Sequence, residues 1–172
     1  DLADAQGGLA TYTKLLVNDY AALKTADVVI FAAGDISQVG AGGNRNGETV
    51  STKKAIDDVA PKLQASGFAG VLIDISNPCD VAVNYWQQKL GWAKHRILGT
   101  GTGLDTYRMR RAVAETLKVN VADVRGYNLG EHGASQFTAW STVYVNSTPI
   151  SEFAGIDYDQ LAETSREGGF AI

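Results

Sequence analysis

Few side chains in this sequence pair a reactive type with a setting that exposes it. One is His132, one of two histidines, in the glycine-flanked stretch Gly130-Glu131-His132-Gly133. Imidazole titrates near neutrality, so it suits a proton passed to or from an oxygen during a reaction. By residue type alone, His132 could equally be a buried histidine with its bonds satisfied. Asp105 opens a helical pattern and on its own reads as an N-cap. Arg108 lies three residues further on, one turn along the same face. A guanidinium there can grip a carboxylate through two parallel bonds. Surface charge is the plainer reading of Arg108, and it is the reading given to Arg110 and Arg111. Asn77-Pro78, after an apolar run, reads on its own as a turn.

The elements that would carry these groups alternate. Lys14-Leu15-Leu16-Val17-Asn18 reads as a short strand, Tyr20 to Thr25 as a helical connection, and Asp27 to Ala33 as a strand apolar enough to be buried on both faces. Ala33 and Gly34 end it with small residues that let a ligand approach closely. Gly34 to Gly47 is rich in Gly and Asn, too long for a tight turn, and of the kind that forms a lid. Thr49 to Ser66 is helix-like, and Gly70 to Ser76 is a strand stopped by Asn77-Pro78. Asp80 can cap a helix running to Leu90 before Gly91. Arg96 to Gly101 is a strand and Asp105 to Leu117 a helix. Extended segments follow over Gly126 to Leu129 and Phe137 to Val145, then a helix over Asp157 to Glu167. Apolar runs alternating with mixed segments indicate an α/β chain, and the change of character near residue 101 marks a domain boundary.

The chain has 172 residues, 45% hydrophobic and 20% charged, with a net charge of -4. Lys and Arg are scattered, so neither nucleic acid nor an anionic membrane is indicated as a partner. The longest apolar run, Ala26 to Gly34, is interrupted by Asp27 and is too short to cross a bilayer; no basic-then-apolar leader opens the chain. The single cysteine, Cys79, rules out an internal disulfide framework and a cysteine-rich metal site, so no metal is expected. The chain opens at Asp1-Leu2-Ala3 without Met and stops at Gly169-Phe170-Ala171-Ile172, which reads as a piece of a longer protein.

Ser76-Asn77-Pro78, Gly99-Thr100-Gly101, Leu104 to Arg110 and Gly130-Glu131-His132-Gly133 follow one another in order. At these positions, over nearly the whole chain, the sequence resembles the lactate/malate dehydrogenase family. Gly126 to Gly133 and Ala139-Trp140-Ser141-Thr142 look most like the L-2-hydroxyisocaproate and bacterial L-lactate dehydrogenase branches. The resemblance implies an α/β fold: the remainder of a Rossmann-type NAD-binding domain over residues 1–101, then part of an α+β substrate domain over 102–172. It also implies hydride transfer between NAD and a small 2-hydroxy or 2-oxo acid, with His132 as proton donor and acceptor. Asp105 would support the ring, fixing its tautomer and stabilising its protonated form. Arg108 would anchor the substrate's acid group. Asn77 would lie near the nicotinamide ribose and the reacting oxygen, with Ala33, Gly34 and Ile75 against the cofactor. A cytoplasmic homo-oligomer, dimer or tetramer, is implied as well.

The sequence departs from the pattern in two ways. The family's glycine-rich phosphate loop and the acidic residue that holds the adenosine ribose would precede Asp1, so the sequence does not choose between NAD and NADP. A lid arginine that polarises the substrate carbonyl is expected after a Gly-acid pair, yet Gly47-Glu48-Thr49-Val50 places Val50 there; Arg45 is the only arginine on the loop. Asp35 to Val39 contains Asp35 and no cation, which disfavours malate's second carboxylate, while Gly40 to Gly43 leave room for a bulkier side chain. Malate dehydrogenase and a non-catalytic paralogous domain remain the alternatives. A serine hydrolase built on Ser135 fails, because Ser135 is not in G-x-S-x-G. A metal-dependent glycosidase of this fold fails, because Cys79 has no histidine near it.

Overall fold

The computed structural model describes residues 12–35, 37 and 45–167, with the side chains of Arg45, Asn46 and Glu167 outside that description. Three parallel strands, β1 (Val28–Phe31), β2 (Val71–Asp74) and β3 (Ile97–Gly99), pair in that order. Helices α1 (Thr49–Ala65) and α2 (Cys79–Leu90) are the two crossovers. The register sets Val29, Leu72 and Ile97 in one row, and Phe31, Asp74 and Gly99 in the next row on the same face. Phe31, Leu72 and Ile97 are buried with Ile56 and Leu63 of α1 and Trp86 of α2. Phe31 meets the Trp86 ring edge-on at 4.9 Å between centroids. Gly91 adopts the left-handed conformation that ends α2, its N–H bonded to the Gln87 carbonyl at 3.0 Å. At the amino ends of the strands, Arg96 donates to the carbonyls of Gly70 (3.0 Å) and Phe68 (3.2 Å). Its guanidinium stacks 4.2 Å from the centre of the Trp92 ring.

In the second part, α3 (Gly103–Leu117) packs against α4 (Tyr158–Glu167). An antiparallel sheet of β4 (Val124–Arg125), β7 (Tyr144–Val145) and β8 (Thr148–Pro149) pairs in that order; β5 (Asn128–Leu129) pairs with β6 (Phe137–Thr138). Met109, Val113, Val124, Val143, Ile150 and Leu161 form its core. Gly126 has φ +135°, and a Cβ there would come within 2.7 Å of Val143.

Several expectations need correction. Lys14 to Asn18 is not a strand: the segment is exposed, and among the described residues β1 is the sheet edge, with nothing pairing on its outer side. The run Asp27 to Ala33 yields only four strand residues, covered on one face; Val28, Ile30 and Leu98 on the other are 50%, 63% and 47% exposed. Asp80 does not cap α2, because Pro78 holds the N-cap position and Asp80 lies inside the first turn. Arg110 is not plain surface charge. It donates two bonds, 3.2 and 3.0 Å, to the Gly126 carbonyl and lies near the rings of Tyr107 and Tyr127. Arg111 is the exposed one, pairing with Glu115 along the helix. Most of the expected lid lies outside the described residues; its end, Arg45–Glu48, is a single 3-10 turn leading into α1.

Candidate active site

α3 begins after Thr102, and its first turn brings Asp105 inward, fully buried. A carboxylate without partners there would be costly. Its two oxygens divide the work. Oδ2 meets His132 Nδ1 at 2.5 Å, and Oδ1 accepts from Arg108 Nη1 at 3.3 Å. Burial alone would raise the Asp105 carboxyl. The bond to His132, that ring's charge, Gln136 and Arg108 outweigh it and hold the group below its ordinary value. The side chains of His132 and Arg108 are 11% and 14% exposed, so both are largely shielded from solvent. Among the described residues, Arg108 Nε and Nη2 meet no acceptor, which leaves donors for an incoming anion.

The loop carrying His132 follows β5, and Asn128 fixes β5 to the helices. Its N–H bonds to Thr106 Oγ1 (3.0 Å) and its carbonyl accepts from Thr102 (2.7 Å). Its side chain donates to Ser165 Oγ (2.9 Å) and accepts from Thr138 (2.9 Å). Ser165 in turn donates to the Asp105 carbonyl at 2.9 Å, closing a ring of bonds around the site.

The parallel sheet supplies the other wall. Asn77 follows β2, joined to Pro78 by a cis peptide bond; its carbonyl accepts from Thr52 of α1 at 2.6 Å. Three residues on, Asp80 Oδ2 accepts the His132 backbone N–H at 3.3 Å, docking the histidine loop on α2. Ile75, 47% exposed, and the exposed Gly34 lie at the carboxyl ends of β2 and β1, with Ala33 half-buried beside Gly34. A Cβ on Gly34 would lie 3.2 Å from Glu48 Oε1. Glu48 is itself buried, and its Oε2 has no hydrogen-bond partner among the described residues. Val50 is 79% exposed, pointing away from the buried Thr52 and Ile56. Cys79 is buried and burial pushes its thiol up, which unfits it as a nucleophile.

Residues 1–99 match the family model for the lactate/malate dehydrogenase NAD binding domain, and residues 102–172 match that for the alpha/beta C-terminal domain. The chain belongs to the lactate/malate dehydrogenase family. It is 37% identical to an L-lactate dehydrogenase 1 of Bifidobacterium longum over 165 residues, 96% of this chain and 52% of that protein. It is 34% identical to an L-lactate dehydrogenase 2 of Listeria monocytogenes over 181 residues, 100% of this chain and 57% of that protein. The ligand-bound minor L-lactate dehydrogenase from Enterococcus mundtii superposes with a TM-score of 0.86 at 30% identity, over 99% of this chain and 56% of that one. The Cryptosporidium parvum lactate dehydrogenase complexed with lactic acid and NAD gives 0.85 at 27% identity, over 99% and 54%. The chain spans about half the length of the curated relatives it matches.

Within this family frame, His132, Asp105 and Arg108 are in mutual contact through one carboxylate, and Asn77 lies three residues before Asp80, which accepts the His132 N–H. The structural description does not include the Arg45 side chain. Sequence reasoning missed Thr52 and Gln136, neither of which sits in a motif, read Glu48 only as the acid of a Gly-acid pair, and took Asp80 for a cap. Among the described residues no group of three His, Cys, Asp or Glu could hold a metal ion, and no helix is long and apolar enough to cross a membrane.

Proposed function

We propose that this chain is part of an NAD-dependent L-2-hydroxyacid dehydrogenase of the L-lactate or L-2-hydroxyisocaproate type. One observation carries the proposal: a proton-bearing ring and a guanidinium with free donors share the Asp105 carboxylate. Nδ1 of His132 meets Asp105, and the proton exchanged with a substrate oxygen is assigned to Nε2. When a 2-oxo acid is reduced, Nε2 gives its proton to the carbonyl oxygen, and Asp105 balances the charge the ring carries beforehand. Arg108 holds the substrate carboxylate so that carbonyl and ring face each other. A nicotinamide, when bound, supplies the hydride that goes to the carbonyl carbon. In the oxidising direction His132 takes the hydroxyl proton back.

NAD fits the residues present. Gly34 and Ile75 offer a side-chain-free approach and an apolar platform at the carboxyl ends of the strands, the edge where such sheets bind ligands. Ala33 and Asn77 border the same edge. Arg45 is the loop arginine of this reading: Val50 faces outward, whereas the turn beginning at Arg45 carries Glu48 in against Gly34. Residues 1–101 are taken as the dinucleotide-binding part and 102–172 as the substrate part, supported by the change from parallel to antiparallel strands after β3. Asp35, whose carboxylate accepts from Ser37, opposes a second substrate carboxylate. The relatives' names favour lactate over malate as the substrate type. A cytoplasmic homo-oligomer is expected from family membership.

The test is a panel of 2-oxo acids of increasing bulk with NADH, run on the full-length protein and on His132→Gln. Turnover of pyruvate or a branched acid is expected. The variant should lose about 10²–10⁴-fold in kcat/KM with NADH binding retained. No turnover by the parent leaves only a binding domain, and oxaloacetate turned over above the rest makes it a malate enzyme.

A further inference from the structure

Asp74 is the second wholly buried carboxylate of the fold, and nothing above explains it. It ends β2, a strand of a parallel sheet, where both chemistry and precedent call for an apolar side chain. The register sets it between Phe31 and Gly99 on the face covered by α1 and α2. Among the described residues no cation pairs with it. Three donors surround it instead. Oδ1 accepts from the Ser76 N–H at 2.7 Å and from Ser76 Oγ at 2.5 Å, and Oδ2 accepts from Trp86 Nε1 at 2.8 Å. Burial pushes the carboxyl up while these bonds pull against it.

We propose that Asp74 is a positioning residue: it orients the Ser76-Asn77-Pro78 turn, so that Asn77 presents its side chain at the carboxyl edge of the sheet. The inference rests on the dehydrogenase reading, in which Asn77 borders the reacting groups. Apolar packing would hold the strand end more cheaply, but it is not directional, whereas two bonds to one residue fix both the backbone and the side-chain direction of Ser76. From α1, Thr52 Oγ1 holds the next carbonyl, that of Asn77, at 2.6 Å. Residues 76 and 77 are therefore gripped one from the core below and one from α1. The indole N–H of Trp86 satisfies the other oxygen, Oδ2, and takes no part in holding the turn.

Asp74→Asn in the full-length protein tests this, because the amide matches the shape but carries one acceptor oxygen. Its NH2 must meet either the indole N–H or the Ser76 donors, so one arm breaks. Expected is a fall in kcat/KM of about 10–100-fold, the range for a displacement near 1 Å, with the melting temperature shifted by only a few degrees. Trp86→Phe alone leaves the Ser76 arm whole and should lower stability while activity stays within about 3-fold. Combining Trp86→Phe with Asp74→Asn removes the opposing donor, so activity should recover above that of Asp74→Asn. A purely structural role predicts activity that tracks stability through all these proteins, and that result overturns the proposal. Crystal structures of the parent and Asp74→Asn give a readout free of turnover: the turn at Asn77 should move, and superimposable turns sink the inference. An inactive parent sinks the dehydrogenase reading instead, whereas an active parent with an equally active Asp74→Asn sinks this one alone.

Discussion

Asp105 serves two partners with two oxygens, so replacing it should separate their roles. Asp105→Asn keeps the volume but offers His132 either a donor or a single acceptor, and the ring loses both its fixed tautomer and its counter-charge. A loss of kcat approaching about 10⁴-fold is expected in steady-state assays, the size known for such a change in a His–carboxylate pair. Arg108→Lys should raise KM for the oxo acid by about 10–100-fold and leave NADH binding alone, because an ammonium cannot make the two parallel bonds. The carboxyl of Asp105 also links to stability. Its folded value lies below the ordinary 3.8, so the folded state binds that proton less tightly than the unfolded chain. Its contribution is therefore complete above the ordinary value and disappears as pH falls through the folded one. Urea melts of the parent and Asp105→Asn should differ above about pH 4 and converge in stronger acid. The chemical trio was legible in the sequence because each member sits in a short motif. Asp74 and Thr52 were not, since what singles them out is burial and direction, which no local spacing records.

Among the elements, the short strand β5 matters more than its length implies. Asn128 reaches α3, β6 and α4 at once, and it is this fixture, rather than the flanking glycines, that sets where the next residues run. Asn128→Ala leaves the buried Thr138 hydroxyl without its acceptor and removes the donor to Ser165 Oγ. It should cost about 1–3 kcal/mol in chemical denaturation and reduce turnover through the displaced His132. The helices were predictable almost to the residue: α1, α2 and α3 have clear periodicity, and α2 ends at a glycine in the left-handed conformation. The antiparallel pieces β5, β6 and β7 were legible only as extended segments over Gly126 to Leu129 and Phe137 to Val145, and β4 and β8 not at all, because strands of two residues carry too little alternation to be told from loop. Lys14 to Asn18 had the composition of a strand, but pairing rather than composition makes a strand, and no partner lies beside it among the described residues.

At the scale of the molecule, the two parts meet where Asp80 accepts the His132 N–H. Asp80→Ala should lower kcat several-fold and change the melting temperature little, since the bond is exposed and joins the parts rather than filling a core. Among the described residues the parallel sheet is covered on one face only, and its open face and β1 edge carry Val28, Ile30 and Leu98. Apolar surface of this kind drives association. The 172-residue chain on its own should self-associate in sedimentation, and Ile30→Lys should reduce that. The opposite end of the sheet has a different fate. With Arg96 caught between two carbonyls and an indole, the start of the strands is stoppered. Since such sheets bind ligands at their carboxyl ends, small molecules are expected at the other rim, the one that holds the imidazole.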